Sequence, residues 1–281
     1  MRLAGIWICW GDWEILRYSV GAIKPQLDEV IIIGSETSTQ GEKSPIPADL
    51  IVTKYEPQAG LPQRDNERAK RNYGLKKARE LGCTHFLMLD ADEFYEPQAI
   101  EEGKEAFEDP ALFGLVCASK IYVRSPELCI DDITRVPFIH RLTPELKFTK
   151  NYEYPFSCGY AGPLIDPTRT LNITSGIQWS KSIMHHMSLV RRDINKKIRN
   201  SSGDRIKQFS DLLRLDYVKA KEGYRLRYFN LGENSKDRVL QKVPNTFNIP
   251  VIEDMALLGS VPTGAQFGQA EDGPTYQSLK K

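Results

Sequence analysis

The stretch Phe86-Leu87-Met88-Leu89-Asp90-Ala91-Asp92-Glu93 constrains the fold most. Its first half is a continuous apolar run, and a short run of this kind reads as a strand buried on both faces of a sheet. Strands covered on both faces belong to α/β architectures, so the expected fold class is α/β. The run ends in three carboxylates within four positions. In open α/β sheets ligands bind at the carboxyl ends of strands. Three acids this close repel one another, so they need a cation or one must keep its proton. Asp90 and Asp92 lie two apart and share a face wherever the backbone stays extended. Their oxygens suit hard divalent ions such as Mg2+ or Mn2+. The bland alternative is a solvated acidic turn, because a bare Asp-x-Asp is common.

The residues before this stretch lower the weight of that alternative. Gln63 to Leu81 reads as a basic helix, closed by Gly82, a natural helix stop. The chain opens with a strand over Leu3–Trp10 and a helix over Trp13–Ile23, whose apolar residues are Trp13, Leu16, Val20 and Ile23. A second strand covers Glu29–Ile33 and a short third one Leu50–Thr53. Strand–helix–strand is how a nucleotide-binding α/β half begins. Further on, the pattern predicts a helix over Gln98–Phe107, sheet within Ala111–Val123, a strand over Val136–Leu142 and another over Ile177–Ile183. His185-His186 would follow that last strand. Residues 188–222 read as helical. From Val243 the chain is rich in Pro and Gly and is expected to drape over the domain or to be partly disordered. The expected division is a catalytic domain over 1–187, a basic helical extension over 188–242 and a tail over 243–281.

Arg71-Asn72-Tyr73-Gly74-Leu75, Ala78, Gly82 and Phe86 to Glu93 resemble the central motif of nucleotide-sugar glycosyltransferases of the GT-A fold. The variety they look most like is family-two-like, with Asp-x-Asp-Glu-Phe, and includes bacteriophage-encoded enzymes. The resemblance is specific over residues 60–97 and looser over 1–60. It returns at Asp166-Pro167-Thr168-Arg169 and from His185 to Arg191. It implies a GT-A-type α/β fold with a helical C-terminal extension. The implied activity is metal-dependent transfer of a sugar from a nucleotide sugar, a UDP-sugar, to a hydroxyl. The implied metal ligands are Asp90, Asp92 and His186, the last matching the pattern His-x-Ser-x-Val-Arg. Arg71, Asn72, Asp90 and Arg191 are implied to contact the donor. Arg191, Arg192, Lys196 and Lys197 read either as partners for a nucleotide diphosphate, whose oxygens guanidinium forks match, or as an exposed face. The family's acidic pair after the second strand is absent here, and Glu36 is the substitute candidate for base recognition. Inverting transfer also needs a general base within hydrogen-bond reach of the acceptor. Asp166 is the first candidate and Glu153 the second, and a retaining enzyme would need neither in that role.

Charge enters through its distribution, since the net charge is only +1. Residues 86–109 carry nine acids against Lys104, whereas residues 187–242 carry fifteen Lys/Arg against seven Asp/Glu. Either block also reads as a solvated helix face. The basic block fits a phosphate backbone, and phage-borne members of the resembled family make duplex DNA with a hydroxylated base a candidate acceptor. Surface glycans, lipid-linked sugars and proteins are the rivals. The aromatic segment Tyr152–Tyr160 reads either as a stacking surface or as core. Nucleotidyl transfer and donor binding without catalysis are the competing functions. The first lacks its usual support, because Gly11-Asp12-Trp13-Glu14 is not a glycine-rich phosphate loop. Five scattered cysteines with no Cys-x-x-Cys pair suggest reduced thiols and a cytoplasmic setting. The run Leu3–Trp10 is too short to span a bilayer, so no membrane partner is expected.

Overall fold

The structure, a computed structural model, describes residues 1–150, 165–166, 168–201, 210, 213 and 240–251. Strand β1 (Leu3–Cys9) is buried at every residue. It lies parallel between β2 (Glu29–Gly34) and β4 (His85–Asp90). Outside β2 runs the parallel two-residue strand β3 (Thr53–Lys54), so most of the expected strand over 50–53 is loop. Parallel neighbours need crossovers. Helices α1 (Trp13–Ile23) and α2 (Gln63–Glu80) provide two of them. The fold is α/β, the class expected from the apolar run of β4.

Helix α1 turns Trp13, Leu16, Ser19 and Ile23 inward, a stripe at helical spacing. The polar member, Ser19, accepts from Trp7 Nε1 at 2.8 Å and donates to the Glu93 carbonyl at 2.5 Å. Its burial is thus compensated, and α1 is tied to the chain just beyond β4. Helix α2 has little apolar surface and reaches the sheet by close approach. A Cβ at Gly74 would stand 2.6 Å from Ile6 Cγ2, so only glycine lets the helix settle there. Leu75 and Ala78 pack beside it with no exposure. This approach carries Lys70 and Arg71 into buried positions beneath the carboxyl ends of β1 and β4.

The second half of the sheet changes direction. Antiparallel to β4 and to β6 (Gly114–Val123) runs β7 (Leu128–Arg141), and β6 runs parallel to β8 (Ile177–Leu189). On the other edge of β8 sits the two-residue strand β5 (Glu93–Phe94), and β9 (Gln241–Lys242) pairs with β7. Among the described residues these nine strands make one sheet, ordered β3-β2-β1-β4-β7-β6-β8-β5, with β9 off that path. Helix α3 (Pro97–Ala106) opens on its proline. Its acids Glu101, Glu102 and Glu105 are exposed, as are Glu108 and Asp109 after it. Over half of the acidic block is therefore a solvated face.

Two expectations at the far end of the sheet need correction. Strand β8 continues to Leu189, so His185 and His186 lie inside a strand and not after it. The helix expected over 188–222 does not begin at 188, since α4 spans only Ile194–Asn200. Ile194 and Ile198 pack with Ile121, Val123, Ile130 and Leu189. Residues 188–200 are therefore continuous with the sheet core across position 187. Of the tail, residues 243–251 lie over the sheet, where the Phe247 ring stands 5.0 Å from those of Phe94 and His185. Glu153 and the aromatic segment 152–160 lie outside the described residues, as do residues 252–281. Among the described residues no helix is long and apolar enough to cross a membrane.

The core also sets an acid response. Burial pushes the His140 imidazole down to about 3. Burial likewise lowers His85, beside Arg141, and His185, beside Lys120, each to about 4. A histidine lowered on folding is protonated only by unfolding between its folded pKa and its ordinary one. Stability should therefore fall as pH drops below about 6.5, by about 1.4 kcal/mol per pH unit for His140 alone. Urea midpoints at pH 7 and pH 5 check this. Equal midpoints would contradict the neutral, buried state of His140.

Candidate active site

The carboxyl ends of β1, β2 and β4 open into a cavity of about 530 Å3, within the range of small-molecule sites. Asp90, Asp92, Asp166, His186 and Arg191 all line it. A second cavity, about 690 Å3, lies beside α1 and holds none of these side chains.

The strand ends at Asp90, and Ala91–Asp92 form a turn. That turn breaks the extended backbone on which a shared face for Asp90 and Asp92 was expected, and the two carboxylates meet different partners. Asp90 is held by Arg71 at 3.0 Å and by Arg169 at 2.7 Å. Burial raises its carboxyl, but the guanidiniums of Arg169 and Arg71 outweigh this and bring it down to about 2. Asp92 is 2% exposed and receives Arg191 at 2.6 Å and Lys197 at 3.1 Å. Burial opposes its charge, yet Lys197, His186 and Arg191 hold it well below the usual carboxylate range. Glu93 accepts from Arg169 and takes the Asp90 amide at 2.9 Å. The cation that three adjacent carboxylates require is thus supplied several times over by the chain itself.

Strand pairing brings the histidines here. Glu93 pairs with His186 and Phe94 with His185, and the Met187 amide donates to the Asp92 carbonyl at 2.7 Å. Adjacent side chains on a strand point to opposite faces. His186 Nε2 stands 3.5 Å from Asp92 Oδ1, whereas His185 Nδ1 meets the Tyr122 hydroxyl at 2.7 Å. Burial lowers His186, but Asp92 outweighs it and raises the imidazole.

Among the described residues no group of three or more His, Cys, Asp or Glu side chains is arranged to hold a metal ion. Asp92 and His186 nevertheless offer an oxygen and a nitrogen, a donor set that suits Mn2+ better than Mg2+, whose ligands are oxygens. Mg2+ is commonly held by one or two carboxylates, with phosphate oxygens and water completing its shell. The pair fits a divalent ion of that kind, one that arrives with phosphate.

Three residues expected to contact a donor are placed elsewhere. Arg71 is fully buried behind Asp90 and pairs with Glu67 at 2.7 Å, so it supports the wall and does not line the cavity. Asn72 clamps Phe148, donating to its carbonyl at 3.0 Å and accepting its amide at 2.8 Å. Glu36 turns outward to Lys54 at 3.2 Å and is half exposed. Its neighbours Ser35, Thr37 and Ser38 line the cavity instead. Asp166 is 38% exposed, and its Oδ1 accepts the Thr168 amide at 2.7 Å and hydroxyl at 2.8 Å. Its Oδ2 stands 3.9 Å from Arg169 Nε.

Several residues not singled out from the sequence belong to this site. Trp10 Nε1, Ser35 Oγ and Tyr55 Oη are buried with no hydrogen-bond partner among the described residues, and all three residues line the cavity. Buried polar groups in folded proteins are nearly always paired, so three unpaired ones in residues that line one cavity suit a wall that takes up a polar ligand. Lys70 donates to the Cys9 carbonyl at 2.6 Å and also lines the cavity. Burial lowers its ammonium to about 8, against the pull of Cys9, Asp90 and Glu67. The legible signal for Lys70 was its spacing, four residues before Gly74 and hence on the same helix face. Asp12 and Lys196, the latter already a diphosphate candidate in the sequence, complete the mouth: Arg191 reaches Asp12 at 2.9 Å, and Lys196 Nζ lies 4.9 Å over the Trp10 ring.

No protein-family model matches the chain, and no curated protein does. Among solved structures it is similar to TarS of S. aureus, residues 1–349, at 14% identity over 78% of this chain and 71% of that one, with a TM-score of 0.39. It spans 46% of the longer TarS structure. It is also similar to glucosyl-3-phosphoglycerate synthase of Mycobacterium tuberculosis, solved with Mg2+ and UDP, at 10% identity over 43% of each chain (TM-score 0.29). A third is the inositol-1-phosphate CTP transferase of T. maritima, at 12% identity over 79% of this chain and 97% of that one (TM-score 0.33). These are distant likenesses of overall form, and what those proteins bind stays with them.

Proposed function

We propose that this chain is a glycosyltransferase of the GT-A type, moving a sugar from a UDP-sugar to a hydroxyl acceptor. One observation carries the reading. A single cavity at the strand ends has unpaired buried polar groups, Trp10, Ser35 and Tyr55, in the same wall as Asp92, His186, Lys196 and Lys197. That combination suits a ligand with a polar ring system at one end and a diphosphate at the other. Ser35 and Tyr55 sit at the ends of β2 and β3 and would receive the base in place of Glu36. Lys196, Lys197 and Arg191 would take the phosphates, since ammonium and guanidinium groups match phosphate oxygens. Asp92 and His186 would hold Mn2+ or Mg2+, with Asp90 beside them; such an ion supplies Lewis acidity toward the leaving diphosphate. Asp166, partly exposed in the same cavity, is the general base of this reading.

The acceptor reading is duplex DNA with a hydroxylated base, supported by the charge of residues 187–242. Within the described part of that block, Arg191, Lys197, Lys196 and Arg199 turn to Asp92, Trp10 and Glu42. A DNA surface would therefore draw on the rest of the block. Calorimetry of UDP with Mn2+ and with chelator tests the donor half: tighter binding with Mn2+ is expected, and equal affinity rejects it. Transfer assays on hydroxymethylated duplex, plain duplex and a simple sugar test the acceptor. Transfer to the simple sugar, with no DNA binding at low salt, rejects the DNA reading alone.

A further inference from the structure

Asp92 is the most heavily countered side chain in the cavity wall. Its Oδ2 takes both Arg191 Nη2 at 2.6 Å and Lys197 Nζ at 3.1 Å, while His186 Nε2 stands 3.5 Å from Oδ1. The two cations are held differently. Arg191 also donates to the Ser188 carbonyl at 2.6 Å and to Asp12 at 2.9 Å, so its guanidinium is fixed from three sides. Lys197 has Asp92 as its sole acceptor among the described residues. Its side chain is 24% exposed and lines the cavity. An ammonium on a flexible stem redirects easily, whereas a guanidinium fork held by several acceptors does not.

The backbone that carries Lys197 is anchored independently of Asp92. Helix α4 is capped by Asp193, whose carboxylate takes the Lys196 amide at 2.9 Å. Asn200 at its far end donates to Glu42 at 2.7 Å and accepts from Gln63 at 3.0 Å. Ile194 and Ile198 are buried in the core. The ammonium can therefore leave Asp92 without the helix moving. A positive charge 3.1 Å from Asp92 also repels any dication that approaches the same oxygens. Diphosphate oxygens in the cavity would offer the ammonium a second acceptor.

We propose that Lys197 is an exchangeable counter-ion: it pairs with Asp92 and passes to the diphosphate of the donor, so that a divalent ion gains Asp92 only together with that diphosphate. This rests on the donor reading given above. The test is titration of MnCl2, followed by electron paramagnetic resonance, with and without UDP, on the full-length protein and its Lys197→Met, Lys197→Arg and Lys196→Met variants. Lys197→Met should bind Mn2+ alone about tenfold more tightly, and UDP should improve that binding about tenfold less than in the parent. Lys197→Arg retains a cation at Asp92 and should bind Mn2+ alone as weakly as the parent, and so should Lys196→Met. Mn2+ binding by Lys197→Met that is no tighter than in the parent overturns the proposal. Tighter binding by Lys197→Met with no response to UDP in any form supports the counter-ion role and overturns the donor reading instead.

Discussion

Replacing Asp92 by Asn should abolish sugar transfer and also destabilise the protein by about 3 kcal/mol, the lower end expected when one partner of a buried ion pair is removed. The loss of transfer follows from the proposed site, because an amide is a poor ligand for a hard cation. The loss of stability follows from the surroundings. At a strand end the side chain would be expected to lie open, and the substitution to spare the fold. Instead Asp92 is 2% exposed, with Arg191 12% and Lys197 24% exposed. An uncharged residue there leaves Arg191 and Lys197 with one neutralising charge fewer, and the raised His186 loses the carboxylate that favours its proton. The figure is at the lower end because Lys197 can turn to water. Urea denaturation and a transfer assay on the same preparation separate the two effects. An Asp92→Asn protein that transfers sugar removes Asp92 from the site, and one as stable as its parent shows that the cations do not depend on it.

How much of this was legible follows from what each residue's neighbours are. Helix α1 and strands β1, β2 and β4 were readable within a residue or two, because each carries its own period or an unbroken apolar run, and α2 was readable from its long basic stretch and the glycine stop at Gly82. Strand β8 was truncated in the reading, since Met184-His185-His186-Met187 mixes polar and apolar residues and its partners β5 and β6 are remote in sequence. Its two histidines were assigned to a following segment for the same reason. Nothing local marks Glu93–Phe94 as a strand, yet that two-residue pairing is what sets His186 beside Asp92. The resemblance drew attention to acids and to a histidine, His186, that line one cavity in the structure. It could not show that Arg71 lies beneath Asp90 and away from a ligand, because a guanidinium that neutralises a carboxylate and one that grips a phosphate look alike in sequence. Arg169 was visible only as the last member of Asp166-Pro167-Thr168-Arg169. Its role depends on a contact with residues more than seventy positions earlier.

Arg169 carries the largest expected stability effect. It is 4% exposed, donates to Asp90 at 2.7 Å and to Glu93, and its Nε faces Asp166 at 3.9 Å. One guanidinium thus lies among three carboxylates, two of them in direct contact. Asp90 keeps Arg71 as a second cation, but Glu93 is buried and lies against Arg169. Arg169→Met should therefore cost about 4 kcal/mol, in the range for leaving a buried charge uncompensated. The charge left over is Glu93, and this fixes a pH signature. Burial already raises the Glu93 carboxyl against the pull of Arg169. Without the guanidinium it should rise further and hold its proton at higher pH. A carboxyl raised on folding stabilises fully below its unfolded pKa, about 4.3, and that stabilisation is lost as pH climbs through the folded value. The deficit of Arg169→Met relative to the parent should accordingly be smaller at pH 5 than at pH 8. Adding Glu93→Gln should restore much of the stability at pH 8, because it removes the uncompensated charge itself. Denaturant midpoints of the single and double variants at the two pH values decide the matter. A deficit independent of pH, or one that Glu93→Gln deepens, would mean that Arg169 acts by filling space and not by balancing the carboxylates at the end of β4.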